Sequence, residues 1–354
     1  MGAFDSNSGK VSEEHFKELL LGSLGASRRE LICGAQFGVD TAVIDLGGGQ
    51  ALAVSSDPLS LIPSLGMEIS AWLSVHLLIN DMATTGFAPQ YAQFVLNLPT
   101  SLSKADFSSY WQHIHEQCKQ HNIAISGGHT GQIPGQESTI SGGGTMFLHA
   151  PLHQIITSNK AQPGDSIIMT KSAAISSSSL LSMAFPETVA NECGKKVQED
   201  SAETFWKLSV LKEALIAGNT LTPHKDLHAM HDVTEGGVLG AVYEMTNASG
   251  YGFEVDLSKI AVHEEVRSVC ELFAIDPHKS IGAGSMILSV KNGSEEQLLN
   301  ALRDHGIDGH VIGQVLNEKR YDQIDKAGHK STYVYTGIDP YWEAFFKALK
   351  RGWQ

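Results

Sequence analysis

The spacing of apolar and polar residues predicts helices and strands in alternation along the whole chain. In the first half, helical spacing falls at 12–24, 69–85 and 104–122, and short strand-like runs fall at 41–46, 51–55, 91–98, 123–126 and 141–148. In the second half, the predicted helices are 203–217, 236–247, 264–273 and 294–305, and the predicted strands are 166–170, 253–255, 285–290 and 310–315. Mixed strands and helices in both halves predict two domains of the α/β and α+β classes.

A polar stretch with a turn signal separates the two halves. It begins at Ser158 and reads Ser-Asn-Lys-Ala-Gln-Pro-Gly-Asp, and its proline and glycine interrupt the pattern of helices and strands. We therefore predict domains at residues 1–157 and 158–354. The length of 354 residues agrees with two domains, since domains average ~150 residues.

The acidic composition narrows the choice of partners. The chain has 39 Asp and Glu residues against 25 Lys and Arg residues, which gives a formal net charge of −14. Binding to DNA or RNA requires clustered Lys and Arg, so we expect no nucleic-acid partner. An acidic protein can still bind an anionic nucleotide when a divalent cation lies between its carboxylates and the phosphates.

The cysteines and the apolar runs bear on the cellular compartment. The four cysteines, at positions 33, 118, 193 and 270, form no Cys-x-x-Cys pair, so we predict reduced, mostly buried thiols and no zinc site. The longest apolar run, around 71–79, is too short to cross a bilayer, and no signal-peptide pattern precedes the first helix. We expect a cytoplasmic protein with no membrane partner.

Two acidic residues flank the hairpin predicted around the three glycines at 47–49. If the turn centres between Gly48 and Gly49, then Asp40 and Asp57 lie opposite each other on the two strands. Like charges in that position destabilise a hairpin unless a carboxylate is protonated or a cation lies between them. A register slip, or two carboxylates that face water, would explain the pattern equally well.

A second acidic position lies inside the apolar helix predicted at 69–85. Asn80 and Asp81 are surrounded there by leucine, isoleucine and methionine. A buried aspartate is costly unless it is paired or bound to a metal. The alternative is that the helix breaks at this point and one of the two residues caps the next turn.

Two glycine-containing segments could offer backbone N–H groups to an anion. Residues 125–130 (ISGGHT) are a strand that runs into a glycine pair, and residues 230–240 (MHDVTEGGVLG) are an acidic turn that opens a helix. Each could also be an ordinary turn or helix cap. The phosphate-binding loops of P-loop and Rossmann proteins are absent from the sequence.

Taken in order, six segments resemble the ATP-using family that includes aminoimidazole ribonucleotide synthetase, the hydrogenase-maturation protein HypE, selenophosphate synthetase and thiamine-monophosphate kinase. The segments are GVDTAVIDLGGGQALAVSSDPL (38–59), NDMATTGFAP (80–89), ISGGHT (125–130), PGDSIIMTK (163–171), HDVTEGGVLGAVYEM (231–245) and VIGQV (311–315). They cover most of the chain, and the resemblance is strongest to the HypE-like, AIR synthase-related branch.

The resemblance implies a fold, an assembly and a site. It implies a PurM-like homodimer whose N-terminal domains share a β-barrel, each followed by an α+β C-terminal domain, with ATP in the cleft. Mg²⁺ would be held by Asp40, Asp57 and Asp81, and the residues that would catalyse are Asp57, Asp232 and Lys171. The residues that would surround the nucleotide are Asn80, Gly127, Gly128, His129, Thr130, Thr234, Gly236 and Gly237.

The implied chemistry is transfer from ATP to an oxygen atom, often a carbonyl oxygen that then becomes a leaving group. We therefore expect an ATP- and Mg²⁺-dependent enzyme that activates or phosphorylates a small-molecule or protein carboxamide oxygen. Lys10 could supply a further cation, although Lys171 has the better motif context. Two alternatives stay open: a non-catalytic, dimeric nucleotide-binding maturation scaffold, and a thiamine-monophosphate kinase.

Three departures from the family patterns bear on these alternatives. The kinase-type Gly-Asp-Asp reads Gly38-Val39-Asp40, so one carboxylate is missing. His129 stands where many HypE proteins have aspartate. The chain ends in Lys-Arg-Gly-Trp-Gln, without the terminal cysteine of HypE, so we expect no self-modification of that kind.

Overall fold

The computed structural model describes residues 9–354, and its N-terminal helix is shorter than the sequence predicts. Helix α1, Glu13–His15, starts at the capping side chain of Ser12 and continues as a π-helical turn over Phe16–Leu20. The prediction had extended this helix to residue 24. The helix ends early because Leu19, Leu20 and Leu21 are exposed, so packing stabilises only its first turns.

The N-terminal domain is built on a six-stranded sheet. Its strands are β1 (Leu31–Cys33), β2 (Ala42–Gly47), β3 (Gln50–Ser60), β4 (Tyr91–Leu98), β5 (Ala124–Gln132) and β6 (Ile140–Pro151). Their order is β1-β2-β3-β6-β4-β5, and all pairs are antiparallel except β4 with β5. Within one chain the sheet is open, with β1 and β5 at its edges.

Two helices cover one face of this sheet and leave the other uncovered. They are α2 (Met67–Ala83) and α3 (Lys104–Gln120), and the apolar core between them and the sheet includes the fully buried Leu78 and Ile114. Residues along β4 alternate between buried and exposed, so Val95 on the uncovered face is 44% exposed. This alternation is typical of a sheet with one packed face.

The β2–β3 hairpin differs in register from the arrangement that the sequence suggested. Ala42 pairs with Val54 and Ile44 pairs with Leu52, and an irregularity follows Asp45. The turn centres between Gly48 and Gly49, as predicted, because Gly47 pairs with Gln50. The irregularity shifts the pairing beyond it by one residue, and Asp40 precedes the first paired residue of β2. The prediction that Asp40 and Asp57 face each other across the hairpin is wrong.

The C-terminal domain is built on a seven-stranded sheet, reached through a connection at 152–165 that contains the predicted boundary. Its strands are β7 (Ser166–Thr170), β8 (Leu227–Asp232), β9 (Gly252–Asp256), β10 (Met286–Val290), β11 (Gly309–Leu316), β12 (Tyr321–Ile324) and β13 (Lys330–Thr332). The order is β13-β12-β9-β11-β7-β10-β8. The central strands β7 and β10 are buried along their whole length, which matches their continuous apolar runs.

Eight helices pack around this sheet. They are α4 (Ile175–Ala184), α5 (Pro186–Cys193), α6 (Lys195–Glu203), α7 (Leu211–Thr220), α8 (Gly237–Ala248), α9 (Glu264–Phe273), α10 (Glu295–Asp304) and α11 (Pro340–Lys350). The single helix predicted at 203–217 is wrong. A 3₁₀ turn at Thr204–Lys207 and the separate helix α7 replace it, because the backbone between them is held by Asn80 of α2.

Two of the broader expectations from composition can be compared with the structure. All four cysteines are free and three of them are buried, as predicted. Across residues 9–354, no helix has both the length and the apolar character that crossing a bilayer requires. The two-domain arrangement with mixed strands and helices is confirmed.

Candidate functional site

Four aspartates from both domains meet where the two sheets approach each other. Asp40, Asp57 and Asp81 come from the N-terminal domain, and Asp232 ends strand β8 of the C-terminal domain. Their charges act on one another: Asp232, Asp57 and Asp40 all raise the pKa of Asp81, after the larger effect of burial. We call these four residues the acidic cluster.

Asp40 is positioned by a close contact between the domains. Gly38 has a φ of +78°, and a Cβ at this position would lie 2.5 Å from the carbonyl oxygen of Glu244 in α8. Only glycine allows this approach. It brings Asp40 to the end of β8, where Asp40 Oδ2 also accepts a hydrogen bond from Ser158 Oγ at 2.8 Å.

Asp57 and Asp81 lie on the helix-covered face of the N-terminal sheet. Asp57 is in β3, two residues after Ser55, whose hydroxyl donates to Asp81 Oδ2 at 2.6 Å. Helix α2 is continuous through Asn80 and Asp81, so the alternative of a helix break is wrong. Gly144 beside Asp57 permits this packing, since a Cβ there would lie 2.3 Å from Leu78 of α2.

Burial and repulsion raise the pKa values of the cluster. Burial, then the charge of Glu235, raises the pKa of Asp57 to about 7. Burial, then the charge of Asp40, raises the pKa of Asp232 to about 8. Several carboxylates held together in this way bind protons or a cation more readily than isolated ones do. The arrangement therefore favours a bound cation near neutral pH.

Two residues without a strong sequence signal, His231 and Glu244, complete the site. His231 lies between Asp40 and Glu244: its Nδ1 is 3.4 Å from Asp40 Oδ2, and its Nε2 is 3.4 Å from Glu244 Oε2. Burial, the largest single effect, would lower the pKa of His231, but the charges of Asp40, Glu244 and Asp232 together outweigh it and raise the pKa to about 9. His231 is therefore a buried cation at neutral pH.

Lys10 brings a second positive charge from the N-terminal segment. Its Nζ lies 2.8 Å from Glu244 Oε2, and its side chain is 36% exposed. Burial, the largest single effect, would raise the pKa of Glu244, but Lys10 and His231 together outweigh it and lower the pKa to about 2. The charges of Glu235 and Asp40 also act on Lys10, so its ammonium group lies at the mouth of the acidic cluster.

A divalent cation fits this set of residues. Asp232 Oδ1 is buried and has no hydrogen-bond partner among residues 9–354. Ligand atoms of Asp40, His231 and Asp232 lie within 4.8 Å of one another. Because His231 is protonated and its Nδ1 donates to the backbone oxygen of Asp232 at 2.7 Å, the carboxylates are the ligands that we expect. Carboxylate oxygens are the ligands that Mg²⁺ prefers.

Asn80 directly precedes Asp81 in the sequence, but its side chain bonds to the backbone of the C-terminal domain. Its Nδ2 donates to the carbonyl oxygen of Leu208, and its Oδ1 accepts from the N–H of Val210, both at 2.9 Å. The side chain is fully buried. Asn80 therefore holds the two domains together, and its contact with a nucleotide stays a prediction.

Lys171 is also engaged in structure. Its Nζ lies 2.8 Å from Glu213 Oε1 and donates to the carbonyl oxygens of Lys207 and Ser209. Burial lowers the pKa of Lys171, and its side chain is 15% exposed. The sequence had ranked Lys171 above Lys10 as a cation of the site; Lys171 is engaged with Glu213, and its role at the nucleotide stays a prediction.

The segment Gly127–Thr130 lies at a distance from the acidic cluster. It belongs to the exposed edge strand β5, which includes His129. Asp57 pairs with Gly144, Gly144 with Phe94, and Phe94 with Gly128 in one row across the sheet. Three strand spacings correspond to ~14 Å. Contact between this segment and the phosphates stays a prediction.

The turn between β8 and α8 adjoins the cluster, but its N–H groups are already engaged. Gly237 N–H donates to Thr234 O at 3.2 Å, and Gly236 N–H donates to Asp339 Oδ2 at 2.8 Å. A Cβ on Gly237 would lie 2.8 Å from Ser280 O, so this glycine is required by packing. The predicted role of this turn at the nucleotide stays a prediction.

The family can be assigned from comparison with known proteins. Residues 38–147 match the N-terminal domain of AIR synthase related proteins, and residues 162–326 match the C-terminal domain of the same family. Together the two matches cover the acidic cluster and most strands of both sheets. The chain belongs to the AIR synthase related family.

Relatives of this AIR synthase related protein share its length. It is 26% identical to a putative hydrogenase expression/formation protein of Methanocaldococcus jannaschii, over 88% of this chain and 90% of that one. It is also 26% identical to carbamoyl dehydratase HypE of Azotobacter vinelandii, over 81% of each chain. A crystal structure of HypE in complex with ATP matches with a TM-score of 0.66 at 19% identity, covering 95% of this chain and 98% of that one.

Proposed function

We propose that this protein transfers the γ-phosphoryl group of ATP, in the presence of Mg²⁺, to the oxygen of a carboxamide or another small acceptor. The observation that carries the proposal is the acidic cluster, where carboxylates from two domains converge and Asp232 Oδ1 has no partner in the described chain. A carbamoyl dehydratase and an ATP complex among the relatives support the same chemistry.

The acidic cluster would hold Mg²⁺ through Asp40, Asp57, Asp81 and Asp232. When bound, the ion supplies positive charge that neutralises the phosphates of ATP. Because the four carboxylates come from both domains, the bound nucleotide lies between the sheets. This position explains why the domains meet through close contacts such as that of Gly38 with Glu244.

The proposed phosphoryl transfer requires no reagent besides ATP and the acceptor. The acceptor oxygen bonds to the γ-phosphorus, the bond from this phosphorus to the β–γ bridging oxygen breaks, and ADP leaves. A proton from the acceptor needs a base whose pKa lies near the working pH. We assign this role to Asp57 or Asp232, through a carboxylate oxygen that does not hold the metal ion.

Lys10 would help to hold the phosphates. It lies at the mouth of the cluster, and its ammonium group is shared with Glu244. A phosphate competes well for an ammonium group because it carries more charge than one carboxylate. We assign to Lys10 the role that the sequence pattern had suggested for Lys171.

The same proposal includes a homodimer joined through the uncovered face of the N-terminal sheet. This face carries Tyr91 and Val95, each 44% exposed, and Tyr91 stacks on Phe147. An open face of this kind, next to a free edge strand, is typical of a sheet that is completed by a partner. A second copy would close the six strands into the shared barrel.

The first test is calorimetric titration with the non-hydrolysable analogue AMP-PNP, with and without Mg²⁺. We expect binding that depends on Mg²⁺ and falls at least about tenfold in Asp57→Asn, with little change in fold by circular dichroism. Asp304→Asn, an exposed aspartate on α10, is the matched control. Equal affinity in Asp57→Asn and in the control would contradict the proposed cation site.

Turnover separates the enzyme from the scaffold. ADP release from ATP is measured while small carboxamides are added in turn. An acceptor-dependent rate that is lost in Asp57→Asn supports phosphoryl transfer. Mg²⁺-dependent binding of AMP-PNP without turnover on any acceptor supports the nucleotide-binding scaffold instead.

A further inference from the structure

Two serine hydroxyls donate to carboxylates of the acidic cluster. Ser55 Oγ, on β3, donates to Asp81 Oδ2 at 2.6 Å. Ser158 Oγ, in the connection between the domains, donates to Asp40 Oδ2 at 2.8 Å. Both serines are buried, with 5% and 1% of their surface exposed. A hydrogen bond from a hydroxyl to an ionised carboxylate is short and stronger than one between neutral groups, so these contacts fix how the two carboxylates are turned.

Each of these hydrogen bonds engages one oxygen of its carboxylate. His231 Nδ1 also lies beside Oδ2 of Asp40, at 3.4 Å. Among residues 9–354, Oδ1 of Asp40 and Oδ1 of Asp81 accept no hydrogen bond. Asp232 Oδ1 is likewise without a hydrogen-bond partner there. Each of the three carboxylates thus keeps one oxygen for a cation.

The strand that carries Ser55 also supplies a serine that does not touch the cluster. Residues two apart in a strand lie on the same face, so Ser55 and Asp57 both lie on the helix-covered face of the sheet. Ser56, between them, is exposed on the opposite face, where its hydroxyl lies 2.8 Å from Thr145 Oγ1. The contact with the cluster therefore depends on the position of Ser55 and not on its residue type alone.

Mg²⁺ and Ca²⁺ differ in how they use a carboxylate. Mg²⁺ requires a near-ideal octahedron of oxygens at about 2.0–2.1 Å, whereas Ca²⁺ takes roughly six to eight oxygens at about 2.3–2.6 Å and accepts both oxygens of one carboxylate. A carboxylate whose second oxygen is held by a buried hydroxyl offers one oxygen only. Such a carboxylate suits the smaller ion and withholds the two-oxygen contact that the larger ion uses.

We propose that Ser55 and Ser158 set the cation selectivity of the acidic cluster by limiting two of its carboxylates to one oxygen each, which favours Mg²⁺ over Ca²⁺. The two serines are positioning residues, since they act through Asp81 and Asp40. The inference rests on the cation site of the proposed function. Removal of a group that hydrogen-bonds to a metal ligand typically changes metal affinity by about 10- to 100-fold.

The experiment titrates the intact protein and its variants with Mg²⁺ and with Ca²⁺ by calorimetry, without nucleotide and with saturating AMP-PNP. The measured quantity is the ratio of the Mg²⁺ affinity to the Ca²⁺ affinity. We expect Ser55→Ala to lower this ratio at least about tenfold, because Asp81 can then turn both oxygens to Ca²⁺. Ser55→Thr, which keeps the hydroxyl, should retain the ratio of the intact protein, and Ser56→Ala is the matched control that should leave it unchanged.

The ratio separates positioning from a general effect on the fold. A variant that is merely less stable loses affinity for both ions together, and its ratio does not move. Ser158→Ala repeats the test from the connection between the domains and should lower the ratio in the same direction. Thermal unfolding by circular dichroism checks that each variant is folded. An unchanged ratio in either folded variant would overturn the inference.

Failure of the inference and failure of the proposed function give different results. If Mg²⁺–AMP-PNP binds and the ratio is unchanged in the serine variants, the nucleotide function stands and the inference is wrong. If the ratio falls in the variants but AMP-PNP does not bind, the serines set the selectivity of a cation site that serves no nucleotide. If neither ion binds the intact protein, with or without AMP-PNP, both proposals are overturned.

Discussion

At the scale of single residues, the site is a chain of alternating charges. Lys10, Glu244, His231 and Asp40 follow one another with contacts of 2.8, 3.4 and 3.4 Å. Each charge is partly balanced by the next, which reduces the cost of burying all four. Among residues 9–354, Asp57 and Asp81 form no ion pair, and Asp232 Oδ1 lies 4.0 Å from His231 Nδ1, which it shares with Asp40 and Glu244. A bound metal ion would therefore act mainly on Asp57, Asp81 and Asp232.

The raised pKa values predict how Mg²⁺ stabilisation depends on pH. Asp57 and Asp232 bind protons more tightly in the folded protein than in the unfolded chain, so their contribution to stability is lost as pH rises through about 7 and about 8. Mg²⁺ competes with these protons. The increase in Tm caused by Mg²⁺ should therefore grow between about pH 6 and about pH 8.5, as measured by differential scanning fluorimetry. The same increment at both pH values would argue against carboxylate ligands.

Replacing Lys10 should change nucleotide affinity, whereas replacing Lys171 should change the stability of the fold. Lys10→Met should weaken AMP-PNP binding by about tenfold, while Lys17→Met, an exposed lysine on the same segment, should not change it. Lys171→Met leaves Glu213 buried without its cation and should reduce the free energy of unfolding by about 3 kcal/mol. The readouts are calorimetry and chemical denaturation. A loss of nucleotide affinity in Lys171→Met at unchanged stability would restore Lys171 to the site.

At the scale of elements, helix α2 carries two polar residues that point to different partners. Consecutive residues of a helix are rotated by about 100°, so Asn80 reaches the backbone at Leu208 and Val210 while Asp81 reaches Ser55. The sequence predicted that these two residues lie in an apolar helix, where a buried aspartate needs a partner or a metal ion. It could not assign the partner of Asn80, which lies 128 residues away in the chain.

The edge strand β5 provides a test of what its glycines do. A Cβ on Gly128 would lie 1.9 Å from the carbonyl oxygen of Phe94, whereas the nearest atom to a Cβ on Gly127 is 3.9 Å away. Gly128→Ala should therefore reduce the free energy of unfolding by about 1–3 kcal/mol. Gly127 has a φ of +157°, similar to the +146° of Gly128. Gly127→Ala should therefore reduce the free energy of unfolding clearly less, as measured by thermal unfolding of both variants. Equal losses would mean that backbone strain, and not contact with β4, requires the glycines.

The elements themselves were largely predictable, and the errors have local causes. Helices such as α9, with one buried stripe, and continuous apolar strands such as β10 follow directly from their residue patterns. The turn of the β2–β3 hairpin is the predicted one, and the register was missed because the irregularity after Asp45 shifts the pairing by one residue. The helix predicted at 203–217 was wrong because a contact from the other domain holds the backbone there.

At the scale of the whole molecule, the site exists because two domains meet. Motif order in the sequence brought together Asp40, Asp57, Asp81 and Asp232 as a group, and the structure places them side by side. The sequence could not reveal His231 and Glu244 as partners, because their pairing depends on the packing of β8 against α8. Long-range contacts of this kind leave no periodic signal in a single sequence.

The uncovered sheet face predicts the assembly. The protein should run in light scattering as a dimer of twice 38.1 kDa. Val95→Lys, which places charge on this face, should shift the protein to monomers, while Leu349→Lys, exposed on α11, should leave the dimer unchanged. Charge buried in an interface is costly unless it is paired. A monomer in the unmodified protein would contradict the proposed barrel.

Glu244 accepts Lys10 from one end of the chain and Tyr335 from the other. During synthesis on the ribosome, Lys10 emerges long before Tyr335. A nascent chain can therefore fold both sheets while the site still lacks its last contact.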